Sequence, residues 1–434
     1  MCKSLQAIVL CGSLAVANGA AGQGCVPFWT VTGYQRPVRI EWSPTEGRGI
    51  VHDDGSGMAI FAVEGPIGVA TERWVVRWKG REWERLGVGA PAFDGMGSPR
   101  ILDDGRGPRL YVQARPVGSS SSPMWMWDGL AWNLTPSNFF PTSGTSLNAI
   151  PQCSYDDGTG MAVYGSRYGS VKRWNGTIWD TIGVADTEFG INMEVFDLGD
   201  GPKIYAAGQF NSINGETTPG AATWDGHSWG SLGSGIICGA ITDMEVFDSG
   251  NGKELYVAGV ITSAGGASVQ GLAKWNGTSW SGVQGHGGAD TRFLCVFDDG
   301  SGPALYISGS FNHVGGVPAR YVAKFDGSNW HAVAPGALGY SPMAVYDDGR
   351  GPSLFHSGNL NGVGGLPQAG MKQLVSCPNC YADCDNNQRL DVNDFMCFVT
   401  KYAQKDPYAN CDVGAVVDPS DFMCFLAKYA AGCP

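Results

Sequence analysis

The chain has 434 residues and a formal net charge of −12, with 66 glycines, 11% aromatic residues and only 16% charged ones. That length suits two or three domains, and few charges with many glycines and aromatics favour short strands and tight turns over helices. The acidic balance disfavours nucleic acid and anionic membrane surfaces as partners.

The first 22 residues read as a secretory signal peptide. Lys3 provides the positive end, Leu5 to Val16 the apolar core, and Ala15-Val16-Ala17 and Gly19-Ala20-Ala21 the small-residue cleavage sites. The apolar run is too short to span a bilayer, and no later stretch reaches about 18 apolar residues. A lipid anchor at Cys25 would need a lipobox, and Gly22-Gln23-Gly24 makes a poor one. Of the 13 cysteines, Cys2 and Cys11 leave with the signal, and seven of the remaining eleven fall in the last 58 residues. In an exported chain this density implies disulfides, and the odd number leaves at least one thiol unpaired or paired between molecules.

From residue 25 to residue 376 the chain repeats itself. Seven aspartates, Asp53, Asp103, Asp156, Asp197, Asp248, Asp298 and Asp347, recur at spacings of 50, 53, 41, 51, 50 and 49. Each is followed by glycine two and four positions later, and by Phe or Tyr eight positions later. A period near 50 with this composition indicates propeller blades. A second unit, Trp-Asp/Asn/Lys-Gly-x-x-Trp, alternates with the first at Trp78, Trp127, Trp174, Trp224 and Trp275, and with Phe at Phe325. Asp-Gly or Asn-Gly between apolar strands signals a hairpin. The flanking aromatics are expected to pack across it. Each repeat then supplies four strands, in the sixth 293–297, 304–309, 321–325 and 330–333, with the Asp-x-Gly-x-Gly unit turning the chain between the first two.

Seven Asp turns against six complete Trp hairpins expose a ring closure. Phe28-Trp29-Thr30-Val31-Thr32-Gly33 resembles Asn329-Trp330-His331-Ala332-Val333-Ala334, so the N-terminal strand is expected to complete the last blade as its outer strand. The fold class is therefore all-β: a seven-bladed β-propeller closed by an N-terminal strand, followed by a small α-helical module. Closure would bring Cys25 near Cys377, where a disulfide would staple the ring.

The connections between second and third strands lengthen in the later repeats, as in "GSFNHVGGVPARY". With their Gly-Gly doublets, Tyr321 and Trp330, these repeats resemble the kelch type over most of residues 25–376. That resemblance implies a binding platform more often than an enzyme. Asn211, Asn214, Asn312, His313, Asn359 and Asn361 would cluster on one face of a regular propeller, as a candidate ligand face or as plain solvated loops.

No catalytic group is singled out. None of His52, His227, His286, His313, His331 and His356 has a metal spacing. A copper oxidase, as in the kelch-like galactose oxidase group, would need a Tyr, Cys and His constellation that one sequence cannot place. A sialidase would need a different order of Asp, Gly and aromatic. The Asp turns themselves have two readings. Asp caps nearby amides and Gly supplies positive φ; calcium would require several converging oxygens, and the second aspartate is missing at Leu198 and Ser249.

Residues 377–434 differ sharply. "ADCDNNQRLDVNDFMCFVTKYAQ" returns 27 residues later as "ANCDVGAVVDPSDFMCFLAKYAA". Each copy is a loop followed by an amphipathic helix, with Phe395/Phe398 and Phe422/Phe425 three apart. The first loop fits calcium coordination through Asp383, Asp385, Asn387, the Arg389 carbonyl, Asp391 and Asp394. The second offers Asn410, Asp412, the Val416 carbonyl, Asp418 and Asp421, with Gly414 and Ala415 weakening it. The duplication, ending in Gly432-Cys433-Pro434, resembles a cysteine-containing dockerin, EF-hand-like in its loops. That resemblance implies Ca²⁺ as cofactor and a cohesin-like receptor as partner, contacted through Val392-Asn393 and Pro419-Ser420. It also implies equivalent bridges Cys384–Cys397 and Cys411–Cys424, with Cys377, Cys380 and Cys433 tying the ends; zinc at Cys377 and Cys380 is disfavoured in an oxidising compartment.

The sequence thus reads as a secreted, extracellular or cell-surface binding or scaffold protein, anchored to a complex by a calcium-dependent dock, with a glycan or protein ligand on the propeller. The alternative is a carbohydrate-active enzyme, a glycoside hydrolase or lyase, carried into a polysaccharide-degrading complex.

Overall fold

The computed structural model describes residues 28–31, 39–41, 50–65, 73–78, 83–87, 93–97, 99–140, 149–333, 339–347, 352–358, 370–375, 384, 392–405, 409 and 417–431. Its contacts divide the chain into a unit spanning Pro27–Asn379 and another containing Cys380–Pro434. The first is a β-propeller. Among the described residues it holds seven antiparallel sheets of four or five strands, plus two two-stranded ribbons.

The sixth repeat shows the pattern. Asp290–Asp298 pairs with Pro303–Ser310, which pairs with Val322–Phe325, which pairs with Trp330–Ala332. Strand alternation places large apolar side chains on both faces of each sheet, and adjacent sheets share them. Phe247, Tyr256 and Leu272 of the fifth repeat form one buried cluster with Leu294, Leu305, Ile307 and Phe325 of the sixth. The core therefore lies between sheets. Neighbouring first strands touch in chain order, and Met343–Asp347 returns to Ile50–Asp53.

The N-terminal strand Phe28–Val31 joins the last sheet, with Phe28 opposite Val375 and Val31 opposite Lys372. Tyr346 and Phe355 of that sheet are buried with Ile60, Val76 and Trp78 of the first repeat, and the Tyr346 hydroxyl donates to the Met58 carbonyl at 3.0 Å. Pairing between the two ends of the repeat region removes an open sheet edge.

Four strands per repeat is too simple for the first two sheets. There the first-strand role is divided, between Arg39–Glu41 and Ile50–Asp53, and between Phe93–Met96 and Arg100–Asp103. In the second, Pro99 lies in the gap, and a residue with no N–H cannot carry the ladder through. The expected Trp hairpin also differs in detail. In the five hairpins from Trp127 to Trp330 the loop holds four residues, and glycine alone has positive φ (90–101°). The preceding Asp or Asn takes over the turn with its side chain: Asp326 Oδ1 accepts from the backbone N–H groups of Ser328 and Asn329 at 2.8 and 2.7 Å.

The unit containing Cys380–Pro434 has two helices, Val392–Ala403 and Pro419–Ala431. Phe398 and Phe425 are fully buried and stack at 3.8 Å between centroids, with Phe395 and Phe422 around them. Cys384 and Cys397 form a disulfide with Cα atoms 5.7 Å apart. Among the described residues no helix is long and apolar enough to cross a membrane.

Candidate functional site

The Asp-x-Gly-x-Gly turns and the Trp hairpins emerge at one end of each of the first six sheets. In six turns the first aspartate accepts from both glycine N–H groups through one oxygen, as Asp298 does from Gly300 and Gly302 at 2.8 and 3.0 Å. The glycines sit at φ of 87–118°, which L side chains rarely adopt. These carboxylates are thus engaged in shaping their turns; the seventh turn lies largely outside the described residues.

The second aspartate has a different partner. Asp299 accepts from the Tyr306 hydroxyl at 2.7 Å and from Lys324 Nζ at 2.6 Å. Asp157 does the same with Tyr164 at 2.8 Å and Arg173 at 2.7 Å, and Asp54 pairs with Arg77 at 2.7 Å. Burial alone would raise the Asp157 carboxyl, but hydrogen bonds from Thr159 and Tyr164 and the Arg173 charge bring it down to about 2. Burial and the neighbouring carboxylate push the Tyr164 and Tyr306 hydroxyls well above the usual tyrosine range. Each cation stands on the third strand directly opposite the aromatic: Phe61 faces Arg77, Tyr164 faces Arg173, Tyr306 faces Lys324.

Where the second aspartate is missing, other residues adjust. At Ser249 the acid moves to Glu254, which accepts from Lys274 at 2.8 Å and Tyr256 at 3.1 Å. At Leu198 the buried pair is lost: Leu198 packs into the core and an exposed pair, Lys203–Asp200, replaces it. The sequence reading did not single out these cations. Their signal was present as the residue before the first Trp or Phe in four of the six hairpins: Arg77, Arg173, Lys274 and Lys324.

The same end of the sheets locks each repeat to the one before. A Cβ on Gly226 would meet Asp157 of the preceding turn at 3.0–3.1 Å, and one on Gly129 would meet the Asp54 carbonyl at 3.0 Å. The second Trp of each hairpin packs tilted against the first ring at 4.9–5.5 Å between centroids, as expected. It also reaches the previous repeat: Trp179, Trp229, Trp280 and Trp330 donate to the carbonyls of Phe139, Ile182, Leu232 and Gln284 at 2.8–3.0 Å.

The opposite end carries the longer connections. Asn211 and Asn214, expected on a ligand face, take part in bracing. Asp186 Oδ1 accepts from the Asn211 N–H at 2.7 Å, and Asn214 Oδ1 accepts from the Val184 N–H at 2.8 Å. Asn312 and His313 are exposed, at and beside the ribbon His313–Val314 with Val317–Pro318. Asn359 and Asn361 lie outside the described residues. A cleft of about 380 Å³ at this end is lined by Gln270, Leu272, His286 and Gly288. His286 Nδ1 lies 2.9 Å from the Gln270 carbonyl and Nε2 2.8 Å from Thr291 Oγ1. A carbonyl only accepts, so Nδ1 carries the proton and Nε2 accepts from the threonine. Burial holds the ring down to about 4, so it is neutral at pH 7. Tyr168, Phe189, Ile237 and Val260, each more than half exposed, also stand at this end of their sheets.

In the helical unit, Asp383, Asp385, Asn387, Arg389, Asp391, Asn410, Asp412 and Val416 lie outside the described residues. Asp394 lies within the helix Val392–Ala403. Asp418 and Asp421 form a capping box. Asp421 Oδ2 accepts from the Asp418 N–H at 2.8 Å, and Asp418 Oδ1 accepts from the Ser420 N–H at 2.8 Å. Pro419 and Ser420 are exposed in this first turn and Val392 starts the other helix, also exposed. Asn393 is in that helix too. Both carboxylates are engaged in shaping this turn, and Asp421 is fully buried. Among the described residues no group of three or more His, Cys, Asp or Glu side chains is placed to hold a metal. Of the cysteine bridges expected, Cys384–Cys397 is formed and Cys424 is disulfide-bonded; Cys25, Cys377, Cys380, Cys411 and Cys433 lie outside the described residues.

No protein-family model matches the chain, and no curated protein sequence does. Solved structures similar to it include BBS1N in complex with ARL6DN, at 11% identity and a TM-score of 0.44, covering 81% of this chain and 98% of that one. Another is the lectin of Aleuria aurantia, described as a six-bladed β-propeller with a novel fucose recognition mode, at 14% identity and a TM-score of 0.30, covering 70% and 97%. Similarity this low carries no argument about blade number, ligand or partner.

Proposed function

We propose that the chain is a secreted binding or scaffold protein. Its propeller is seven-bladed, of the kelch-like type, and presents a ligand surface. Its C-terminal unit is a dockerin-like module that takes up Ca²⁺ and docks on a cohesin-like receptor, holding the propeller in an extracellular complex. The observation that carries the platform reading is the row of exposed apolar side chains, Tyr168, Phe189, Ile237 and Val260, at the end of the sheets opposite the Asp turns. Exposed apolar side chains of this kind suit a protein partner, and others, among them Met58, Leu130 and Ile178, stand at the Asp-turn end. The docking arm is supported by the duplicated "DFMCF" helices, their stacked phenylalanines and the Cys384–Cys397 bridge. In it Asp383, Asp385, Asn387, Asp391 and Asp394 would ligate Ca²⁺ in the first loop, and Asp412, Asp418 and Asp421 in the second.

Calorimetric calcium titration of the full chain tests the docking arm. Uptake that Asp383→Ala with Asp391→Ala reduces by one site is expected, and no uptake overturns it. Binding to arrays of glycans and surface proteins, run beside polysaccharide-degradation assays, tests the platform; turnover of a polysaccharide overturns a purely binding role.

A further inference from the structure

The second repeat breaks the charge pattern of its sisters. Opposite the aromatic, the third strand carries Arg77, Arg173, Lys274 and Lys324 in the first, third, fifth and sixth repeats, each paired with a carboxylate at 2.6–2.8 Å. In the second repeat that position is Met126, opposite Tyr111. The cation has moved to the second strand as Arg109, where the first, third and sixth repeats have Ala59, Ala162 and Ala304.

The nearest acid, Asp104, feels the Arg109 charge but forms its ion pair elsewhere. Asp104 is held by Arg106 at 2.5 Å, through a side chain that is 61% exposed. Arg109 makes one hydrogen bond among the described residues, from Nη1 to the Met126 sulfur at 3.3 Å, and no ion pair. A guanidinium has five N–H donors in a planar fork, and a thioether is a weak acceptor. Most of the donor capacity of Arg109 is therefore unused.

That unused capacity faces open space. Arg109 lines a cleft of about 790 Å³ together with Asp104, Tyr111, Asp128, Asn133 and Trp174. The volume falls in the range of small-molecule sites, roughly 300–1,000 Å³. Tyr111 and Trp174 are almost wholly buried and give the floor fixed shape. On the rim, Asp128 accepts from the Leu130 and Ala131 N–H groups through Oδ1 and from Asn133 at 2.7 Å through Oδ2, and Asn133 donates also to the Ala131 carbonyl, which leaves a lone pair on Asp128 Oδ2 and the Asn133 Oδ1 to accept from hydroxyl groups.

We infer that this cleft binds a hydroxylated carboxylate of about one ring, such as a uronic acid unit, with its carboxylate on the Arg109 fork and its hydroxyls toward Asp128 and Asn133. A carboxylate suits the planar, bidentate geometry of arginine better than a neutral hydroxyl does. Aspartate on the rim selects for hydroxyl donors and against a second anionic group. The site lies at the Asp-turn end of the sheets and does not depend on the surface at the other end.

Calorimetry of the full chain with D-glucuronate, D-glucose and sulfate tests the assignment, on the unchanged protein and on Arg109→Gln. Glucuronate is expected to bind, glucose and sulfate at least tenfold more weakly, and Arg109→Gln to weaken glucuronate at least tenfold. Should Arg109→Gln not fold, Asn133→Trp, on the exposed rim, narrows the mouth and is expected to weaken glucuronate by the same factor. No glucuronate binding, equal binding of glucose or of sulfate, or undiminished binding in the variant measured overturns the proposal.

Discussion

If the buried charge pair is one device that different repeats build from different positions, it can be moved. Glu254→Ala removes the carboxylate of the fifth repeat and leaves Lys274 and the Tyr256 hydroxyl without their acceptor. Both contacts are close, 2.8 and 3.1 Å, and the two side chains are 25% and 15% exposed. Losing one partner of a fully buried pair costs about 3–5 kcal/mol and an exposed pair contributes under about 1. The partial exposure here places the loss at about 2 kcal/mol. Adding Ser249→Asp should then recover at least half of it, because the acid returns to the turn from which Asp157 and Asp299 act. Ser249 lies under Gly327 as Asp157 lies under Gly226, so the two positions are equivalent along the repeat. Urea denaturation followed by tryptophan fluorescence measures both variants, with midpoints compared at a common slope. A double variant no more stable than Glu254→Ala alone would refute the equivalence of the two positions.

Other outcomes follow from the same end of the sheets. Gly226→Ala meets both a φ of 101° and the Asp157 side chain, so it should lower stability by about 2 kcal/mol or more; an unchanged melting temperature would contradict the interlock. Trp280→Phe removes the bond to the Leu232 carbonyl at 2.8 Å and one ring of a buried indole, for a loss of about 2–3 kcal/mol, read from the urea midpoint. Acid should act in two stages. His286, held down to about 4 by burial, is neutral when folded, so its contribution is complete above its ordinary value of 6.5 and lost as pH falls toward 4. Asp157, brought down to about 2, contributes fully above its ordinary 3.8, and that contribution is lost as pH falls from there to about 2. Melting curves from pH 7 to pH 2 should show both declines, and Asp157→Asn should shrink the second without abolishing it, because Asp326, Asp299 and Asp54 are held low as well; a decline below pH 4 unchanged in Asp157→Asn would contradict this.

Much of this protein could be read from its linear order. The spacing of Asp53 and its six successors exposed the repeat, and Gly at two and four positions beyond each aspartate announced the turn, because only such a residue takes positive φ without strain. The likeness of Phe28–Val31 to the outer strand Trp330–Ala332 located its pairing with Gly370–Val375. These are local matters: a turn depends on the few residues that make it, and a repeat presents the same few again.

Contacts between distant positions were decided by the tertiary structure. Nothing in the motif Trp-Asn-Gly-x-x-Trp says that Trp280 will donate to Leu232 of the preceding repeat, or that Gly226 must leave room for Asp157. Asn211 and Asn214, polar residues in a loop, suggested a ligand surface; both are exposed, and the fold also ties them to Asp186 and Val184. Arg109 was passed over as one more arginine. Its meaning arises only when strand pairing sets Met126 opposite Tyr111, so that the acid next to it is held by Arg106 and the guanidinium is left facing a cleft. Residue type and spacing determine which hydrogen-bonding groups a segment owns, whereas register and sheet packing determine which of them are still unspent once the chain has folded.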